Sequence, residues 1–158
     1  MNQIDVSVAD KPPPCWSGAL GEYAQKVLAE IGRDNWDLSV LLCGDETIKA
    51  LNAQYRDKQE ATDVLSFSLG ATEKHENGEI RCLPGDIVIS LDTLKENARY
   101  FKTSEDEELR RLLIHGILHL DGMDHQTNGD AEPMLVLQEN ILNKLKNERI
   151  IGEEGKGK

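Results

Sequence analysis

Residues 104–120, SEDEELRRLLIHGILHL, constrain the fold more than any other stretch of this chain. Ser104 followed by Glu107 matches a capping box and predicts that a helix begins there. The acidic residues 105–108 favour the same helix start through its dipole. One side of the predicted helix is apolar and includes Leu109, Leu112, Leu113, Gly116, Ile117 and Leu120. Because Ile114 and Leu118 make the far side apolar too, this helix must be buried among other elements.

The rest of the chain alternates between strand-like and helix-like segments. We predict strands at 1–10 (an edge strand), 37–43, 64–69 and 79–90, with a turn at 71–79 around Asn77-Gly78. We predict helices at 16–31 (stopped by Gly32), 46–55 (capped by Asp45), 91–101 and 130–147. This order predicts an α/β or α+β fold, with a small mixed sheet of about four strands flanked by helices. Ser66, Phe67 and residues 85–90 are expected in its core.

Length and cysteine content narrow the class of protein. A chain of 158 residues predicts one domain, assigned here to residues 1–150, with a disordered tail at 151–158. Cys15, Cys43 and Cys82 are odd in number and isolated, which argues against a disulfide framework and favours a reducing cytoplasm. We expect no membrane partner, because no stretch of about 18 apolar residues is present.

The charge balance limits nucleic-acid binding to a local surface. The formal net charge is −11, whereas phosphate contacts require Lys and Arg. The middle third of the chain is the least acidic part. An RNA-binding role therefore requires a small basic groove or delivery by a partner protein, and DNA is not expected as a partner.

Histidines are concentrated in HGILHLDGMDH, residues 115–125, which holds three of the four in the chain. His115 and His119 are four residues apart and project from one face of the predicted helix. Gly122 provides a helix break that would return His125 to the same point. Three imidazoles with a fourth position open are typical of catalytic zinc, although Ni, Co or Cu suit the same ligands.

The acids around the histidines leave the chemistry open. A zinc peptidase of the HExxH type has a glutamate where this chain has Gly116, so a peptidase would need another acid, such as Asp63 or Asp86. Asp121 and Asp124 are candidates to orient a histidine, or are simply solvated surface acids.

Four motifs together resemble the YbeY-type family of rRNA maturation factors and single-strand-specific endoribonucleases. HGILHLDGMDH is similar to its HGxLHLxGxDH signature. The blocks LNAQYRDKQEATDVLSF (51–67), GDIVIS (85–90) and LQENIL (137–142) follow in the family's order, between about residues 37 and 145. The chain departs from the family pattern at Ala61, Asp121 and Met123, and none of these changes removes a histidine.

The resemblance implies one Zn²⁺ ion held by His115, His119 and His125, and a functional role for Arg56. It implies cleavage of single-stranded RNA, maturation of the 3′ end of small-subunit rRNA, ribosome quality control, and contact with a ribosomal subunit or ribosomal protein. Arg56 suits a pentavalent phosphate because its guanidinium grips two oxygens, although an arginine at a helix end also simply favours the dipole.

Three readings of the function stay open from sequence. The first is the zinc-dependent endoribonuclease, with either water or the RNA 2′-hydroxyl as its nucleophile. The second is a zinc hydrolase of a non-RNA substrate. The third is a ribosome-associated binding factor with a mainly structural zinc.

Overall fold

The computed structural model describes residues 1–56, 63–123 and 132–152. Its strands are β1 Gln3–Val8, β2 Trp36–Cys43, β3 Val64–Lys74 and β4 Ile80–Ser90. Its helices are α1 Ser17–Glu30, α2 Asp45–Arg56, α3 Leu91–Tyr100, α4 Glu105–Leu120 and α5 Pro133–Lys144. The prediction of a small α+β fold with a four-stranded mixed sheet is confirmed.

The sheet has the strand order β1-β2-β4-β3. Strands β1, β2 and β4 run parallel, whereas β3 pairs antiparallel with β4 through a hairpin. The first strand therefore lies at an edge, as predicted. Leu38, Val40 and Leu42 of β2 alternate onto one face, where they are at most 1% exposed. This face forms the main core with α1 and α4.

Helix α4 is the central helix of the domain. It contacts β3, β4, α1, α3 and α5, and its apolar residues are all buried. The predicted burial of this helix is confirmed. Ser104 caps its start by accepting a hydrogen bond from the Glu107 N–H at 3.0 Å. Arg111, His115 and His119, the predicted polar sector, are half-buried.

The β3–β4 hairpin differs from its prediction. Strand β3 continues to Lys74, so the turn predicted over 71–79 is confined to residues 75–79. The Gly78 N–H bonds the His75 carbonyl at 2.9 Å and Gly78 has φ +89°, a tight turn with a glycine bulge. A register shift between Ser68 and Ala71 lets β3 continue past residue 69, where the predicted strand ended.

Two helix starts and part of the core are also corrected. Asp45 lies in the first turn of α2, and its carboxylate accepts from the Ser90 and Thr93 hydroxyls at 2.6 Å rather than capping α2. Helix α5 starts at Pro133, because proline suits the first helical position; residues 130–131 of the predicted helix lie outside the described residues. Asp86, which we expected in the core, is exposed.

The end of the described chain is anchored to α4. The buried Asp106 carboxylate accepts from the N–H groups of Ile150 and Ile151 at 2.7 and 2.8 Å. Residues 153–158 lie outside the described residues, so the domain boundary and the tail stay predictions. Across residues 1–56, 63–123 and 132–152, no helix has the length and hydropathy to cross a membrane.

Candidate metal centre and active-site cleft

An open cleft of about 810 Å³ lies where the second half of α4 meets the start of β3. It is lined by Tyr55, Asp63, Val64, Ser66, Phe67, Ser68, His115, Gly116, His119, Leu120, Gly122 and Met123. Ser66 and Phe67 are therefore half-buried cleft residues, rather than purely core residues as predicted. The cleft brings together two of the motifs that were separate in sequence.

The two imidazoles of α4 converge in this cleft. The Nε2 atoms of His115 and His119 are 3.1 Å apart, and the ring centroids are 4.6 Å apart with an interplanar angle of 79°. The one-turn spacing on a rigid helix produces this convergence. The predicted pairing of these two side chains is thus present.

The opposite ring nitrogens show which atoms carry the protons. His115 Nδ1 is 2.6 Å from Gln138 Oε1, and His119 Nδ1 is 3.1 Å from the Met123 carbonyl oxygen. Carbonyl oxygens only accept, so each Nδ1–H must donate and each neutral ring has its lone pair on Nε2. Two facing lone pairs repel each other unless a proton or a cation lies between them. The pair therefore fits a divalent metal ion that prefers nitrogen ligands.

A charged chain of contacts orients Gln138 from behind. Its Nε2 donates to Glu139 Oε2 at 3.1 Å, which assigns its Oε1 to His115. Arg111 grips both oxygens of Glu139, at 2.9 and 3.2 Å. Burial raises the Glu139 pKa, but the hydrogen bonds from Arg111 and Gln138 outweigh it, and the net shift is downward. Glu139 therefore stays ionised and keeps the amide in one orientation.

Sequence reasoning missed Gln138 and Glu139 as site residues. The only signal was their position in the LQENIL block, which we used for resemblance but gave no chemical role. A hydrogen-bond acceptor behind a metal-binding histidine fixes its tautomer and raises its basicity. These two residues are therefore candidates for that supporting role.

Gly122 acts as the helix break that the sequence predicted. It has φ +97°, and its N–H bonds the His119 carbonyl while the Met123 N–H bonds that of Leu118, a Schellman motif. This turn also places the Met123 carbonyl against the His119 ring. His125 and Asp124 lie outside the described residues, so the third ligand stays a prediction.

Gly116 explains why the peptidase glutamate is absent. A Cβ atom at this position would meet the Ile87 side chain at 3.0 Å, because α4 approaches β4 closely there. A side chain here would force the buried Ile87 side chain to shift. The close packing therefore argues against an HExxH arrangement.

The other candidate acids, Asp63, Asp86 and Asp121, lie in three different parts of the structure. Asp63 lines the cleft, and its Oδ2 accepts from Asn97 Nδ2 at 2.9 Å. Asp86 is exposed on the opposite face of the sheet, away from the histidines. Asp121 forms a two-point ion pair with Arg33 at 2.6 and 3.2 Å, so it neither orients a histidine nor is simply solvated.

Arg56 is the last residue of α2, and its side chain lies outside the described residues. The preceding residue, Tyr55, lines the cleft and packs edge-to-face on Phe67 with centroids 5.3 Å apart. Within the described parts of the chain, no group of three or more metal-binding side chains is present. The role of Arg56 and the complete ligand set are therefore matters for proposal.

Fold and site together define a small α+β protein with an imidazole pair in an open cleft, an arrangement typical of metal-assisted hydrolases. The model of the family Endoribonuclease YbeY matches residues 15–146. The chain therefore belongs to the YbeY family of endoribonucleases, enzymes that hydrolyse RNA.

Relatives and a solved structure agree with this assignment. The Endoribonuclease YbeY of Treponema denticola is 47% identical over 94% of this chain and 97% of the relative. The protein of the same name from Treponema pallidum strain Nichols is 43% identical over 90% and 89%. A Thermotoga maritima protein solved in solution is 27% identical, with a TM-score of 0.61 and 93% of each chain covered.

Proposed function

We propose that this chain is a zinc-dependent, single-strand-specific endoribonuclease that matures the 3′ end of small-subunit rRNA and acts in ribosome quality control. The observation that carries the proposal is the convergence of the His115 and His119 Nε2 atoms, with both Nδ1 atoms anchored, in an open cleft. His125 is the proposed third ligand. Family membership supports the RNA substrate.

A bound Zn²⁺ supplies Lewis-acid chemistry, by polarising a phosphoryl oxygen or lowering the pKa of a water molecule. The chain supplies the rest. His115 and His119 present their lone pairs in a fixed direction, and the cleft that holds them is open to solvent. Arg56 stabilises the extra negative charge of the pentavalent phosphate, a contribution of about 3 kcal/mol for a preorganised group.

The biological setting follows from the same proposal. A net charge of −11 favours delivery by a partner in addition to any local basic surface, so a ribosomal subunit or ribosomal protein is the proposed partner. The cytoplasm is the proposed compartment, and the free state of Cys15, Cys43 and Cys82 is consistent with it.

The test uses a single-stranded RNA that spans the 3′ precursor of small-subunit rRNA. We expect the protein to cut it, the His115→Ala variant to be inactive, and the Arg56→Ala variant to lose cleavage while it keeps zinc. His75→Ala is the matched control, because His75 lies at the β3–β4 hairpin outside the cleft. Circular dichroism checks the fold of each variant.

The product ends identify the nucleophile. A 5′-phosphate with a 3′-hydroxyl indicates attack by water, whereas a 2′,3′-cyclic phosphate indicates attack by the RNA 2′-hydroxyl. If the wild type does not cut, or if the folded His115→Ala variant cuts equally well, the ribonuclease proposal is wrong for this chain.

A further inference from the structure

Two adjacent aromatic side chains are exposed at the end of α3. Tyr100 is 79% exposed and Phe101 is 62% exposed. Their ring centroids are 5.0 Å apart at an interplanar angle of 86°, so the pair forms a right-angled corner open to solvent. Leaving two large rings in water is unfavourable by itself, and a planar ligand would cover them.

The end of α3 that carries this corner is locally basic, and the acidic first turn of α4 begins after it at Glu105. Residues 95–102, KENARYFK, hold three cations and one acid, in a protein with a net charge of −11. Lys95, Arg99 and Lys102 are all exposed. Aromatic rings interleaved with cations are the usual surface for single-stranded nucleic acid, because bases stack on the rings and phosphates pair with the cations.

Lys102 has a backbone conformation that lysine does not favour. It has φ +56°, whereas the other described non-glycine residues with positive φ are Asp10 and Asn35, of types that tolerate this region. Lys102 holds the left-handed position of a Schellman motif, with the Thr103 N–H bonded to the Ala98 carbonyl. The equivalent positions after α1 and α4 are glycines, Gly32 and Gly122. Because glycine would avoid this strain, the presence of a lysine suggests that its positive charge has a role here.

The corner is one helical turn from Asn97, a residue of α3 that contacts the lining of the histidine cleft. Asn97 precedes Tyr100 and Phe101 by one helical turn and so shares their face of α3. Asn97 Nδ2 donates to the carboxylate of Asp63, which lines the cleft. A helical turn rises only about 5.4 Å, less than the reach of one or two nucleotides of extended strand.

We propose that Tyr100, Phe101 and Lys102 form a single-stranded RNA subsite beside the cleft. An unpaired base stacks in the Tyr100–Phe101 corner, and Lys102 and Arg99 contact the flanking phosphates. The subsite holds the strand so that a neighbouring phosphodiester enters the cleft. This inference rests on the proposed ribonuclease function and adds to it the surface that selects unpaired RNA.

The test measures binding of a fluorescein-labelled 12-nucleotide single-stranded RNA to the zinc-loaded protein by fluorescence anisotropy, on ice, and the RNA is checked for cleavage afterwards. Tyr100→Ala/Phe101→Ala should weaken binding roughly tenfold, as expected for the loss of a stacked base. Lys102→Gly should weaken binding and reduce the slope of log affinity against log salt by about 0.7, the value for one single-strand phosphate contact. The same Lys102→Gly change should make the fold more resistant to urea, because glycine suits the left-handed position.

Lys74→Gln/Ile80→Ala is the matched control, since it removes an exposed cation and an exposed apolar side chain that pair across the β3–β4 hairpin. These residues lie about 20 Å along β3 from Ser68 of the cleft, and the control should bind RNA like the wild type. A double aromatic variant with unchanged RNA affinity would overturn the subsite and leave the corner as a protein contact. Equal losses in the control would overturn it as well.

The failures of the two proposals are distinguishable. If the wild type neither binds nor cuts single-stranded RNA, the ribonuclease function itself fails. If it binds and cuts, and cleavage depends on His115, but the α3 variants bind normally, only the subsite fails.

Discussion

The histidine pair is positioned by contacts that reach well beyond the two rings. His115 is oriented by Gln138, Gln138 by Glu139, and Glu139 by Arg111. Each contact uses the one donor or acceptor that its partner requires, so the series leaves a single tautomer of His115. At the scale of the residue, the Glu139 carboxylate fixes the direction of the His115 lone pair, although it reaches that ring only through Gln138.

Replacing Gln138 tests this positioning. In Gln138→Ala the His115 Nδ1–H loses its acceptor, and the affinity for Zn²⁺ should fall about 10- to 100-fold. Competition with a chromophoric chelator measures the affinity without any assay of cleavage. Asn140→Ala, an exposed change on the same helix, is the control and should bind zinc normally. An unchanged zinc affinity in Gln138→Ala would show that the amide does not orient the ring.

At the scale of the element, the way a helix ends affects both the fold and the site. Helices α1 and α4 both end in a Schellman motif with a left-handed glycine, Gly32 at φ +74° and Gly122 at φ +97°. The motif after α4 has a second effect, since it presents the Met123 carbonyl to His119. The same local geometry is therefore purely structural at one helix and part of the site at the other.

The two glycines are a matched pair for mutation. Gly32→Ala and Gly122→Ala should each lower the free energy of unfolding by about 1–2 kcal/mol, because a Cβ is strained in the left-handed region. Only Gly122→Ala should also weaken zinc binding, since it moves the acceptor of His119. Urea unfolding and chelator competition on both variants measure the two effects. Equal zinc affinities in the two variants would contradict the second role of Gly122.

The start of α2 depends on a carboxylate from another element. Asp10, in the segment after β1, accepts from the Gly44 N–H at 2.6 Å and from the Thr47 hydroxyl. The hydrogen bond from Thr47 is the largest cause that lowers the Asp10 pKa, and the Gly44 N–H adds to it. A lowered pKa means that the folded state favours the ionised carboxylate.

Asp10→Asn should therefore destabilise the protein in a pH-dependent way. Because the folded pKa is depressed, the stabilisation is present above the unfolded pKa of about 3.9 and is lost as the pH falls through the folded value. The variant should be less stable than the wild type at pH 7, and the difference should narrow below about pH 4. Asparagine keeps the left-handed backbone at φ +54°, so backbone strain does not confound the comparison. Urea unfolding between pH 3 and 7 measures the difference, and a constant gap over this range would exclude the ionic contribution.

At the scale of the whole molecule, the last described segment of the chain is anchored to the central helix α4. Asp106 in the first turn of α4 is 3% exposed, pairs with Arg110 at 2.8 Å and accepts from Ile150 and Ile151. Ile150 is itself buried at 2% exposure in the main core. One carboxylate thus joins the central helix to the last described segment.

Removing the Asp106 carboxylate should strongly destabilise the fold. Asp106→Ala leaves Arg110 buried without its partner and frees two N–H groups, so the free energy of unfolding should fall by about 3–5 kcal/mol. Glu105→Ala, on the neighbouring exposed position, should change it by less than about 0.5 kcal/mol. Urea unfolding compares the two variants, and limited proteolysis reports whether the C-terminal segment is released. Similar stabilities would show that the anchor contributes little.

Local patterns predicted much of this protein because they depend on neighbours in sequence. The capping serine, the two-sided apolar helix, the glycine stops and the edge strand all follow from spacings of two to four residues. The i, i+4 placement of His115 and His119 belongs to the same class, and so does the resemblance carried by their motif. The sequence alone therefore determined the class of fold and the convergence of two imidazoles.

Tertiary structure decided the contacts between residues distant in sequence. Gln138 reaches His115 across 23 positions, Asp121 pairs with Arg33 across 88, and Asp10 reaches Gly44 across 34. No periodicity encodes such pairs, because a hydrogen bond depends on which elements pack together and on ångström-level placement. The sequence determined which side chains are present on each element, and only packing decided which of them meet.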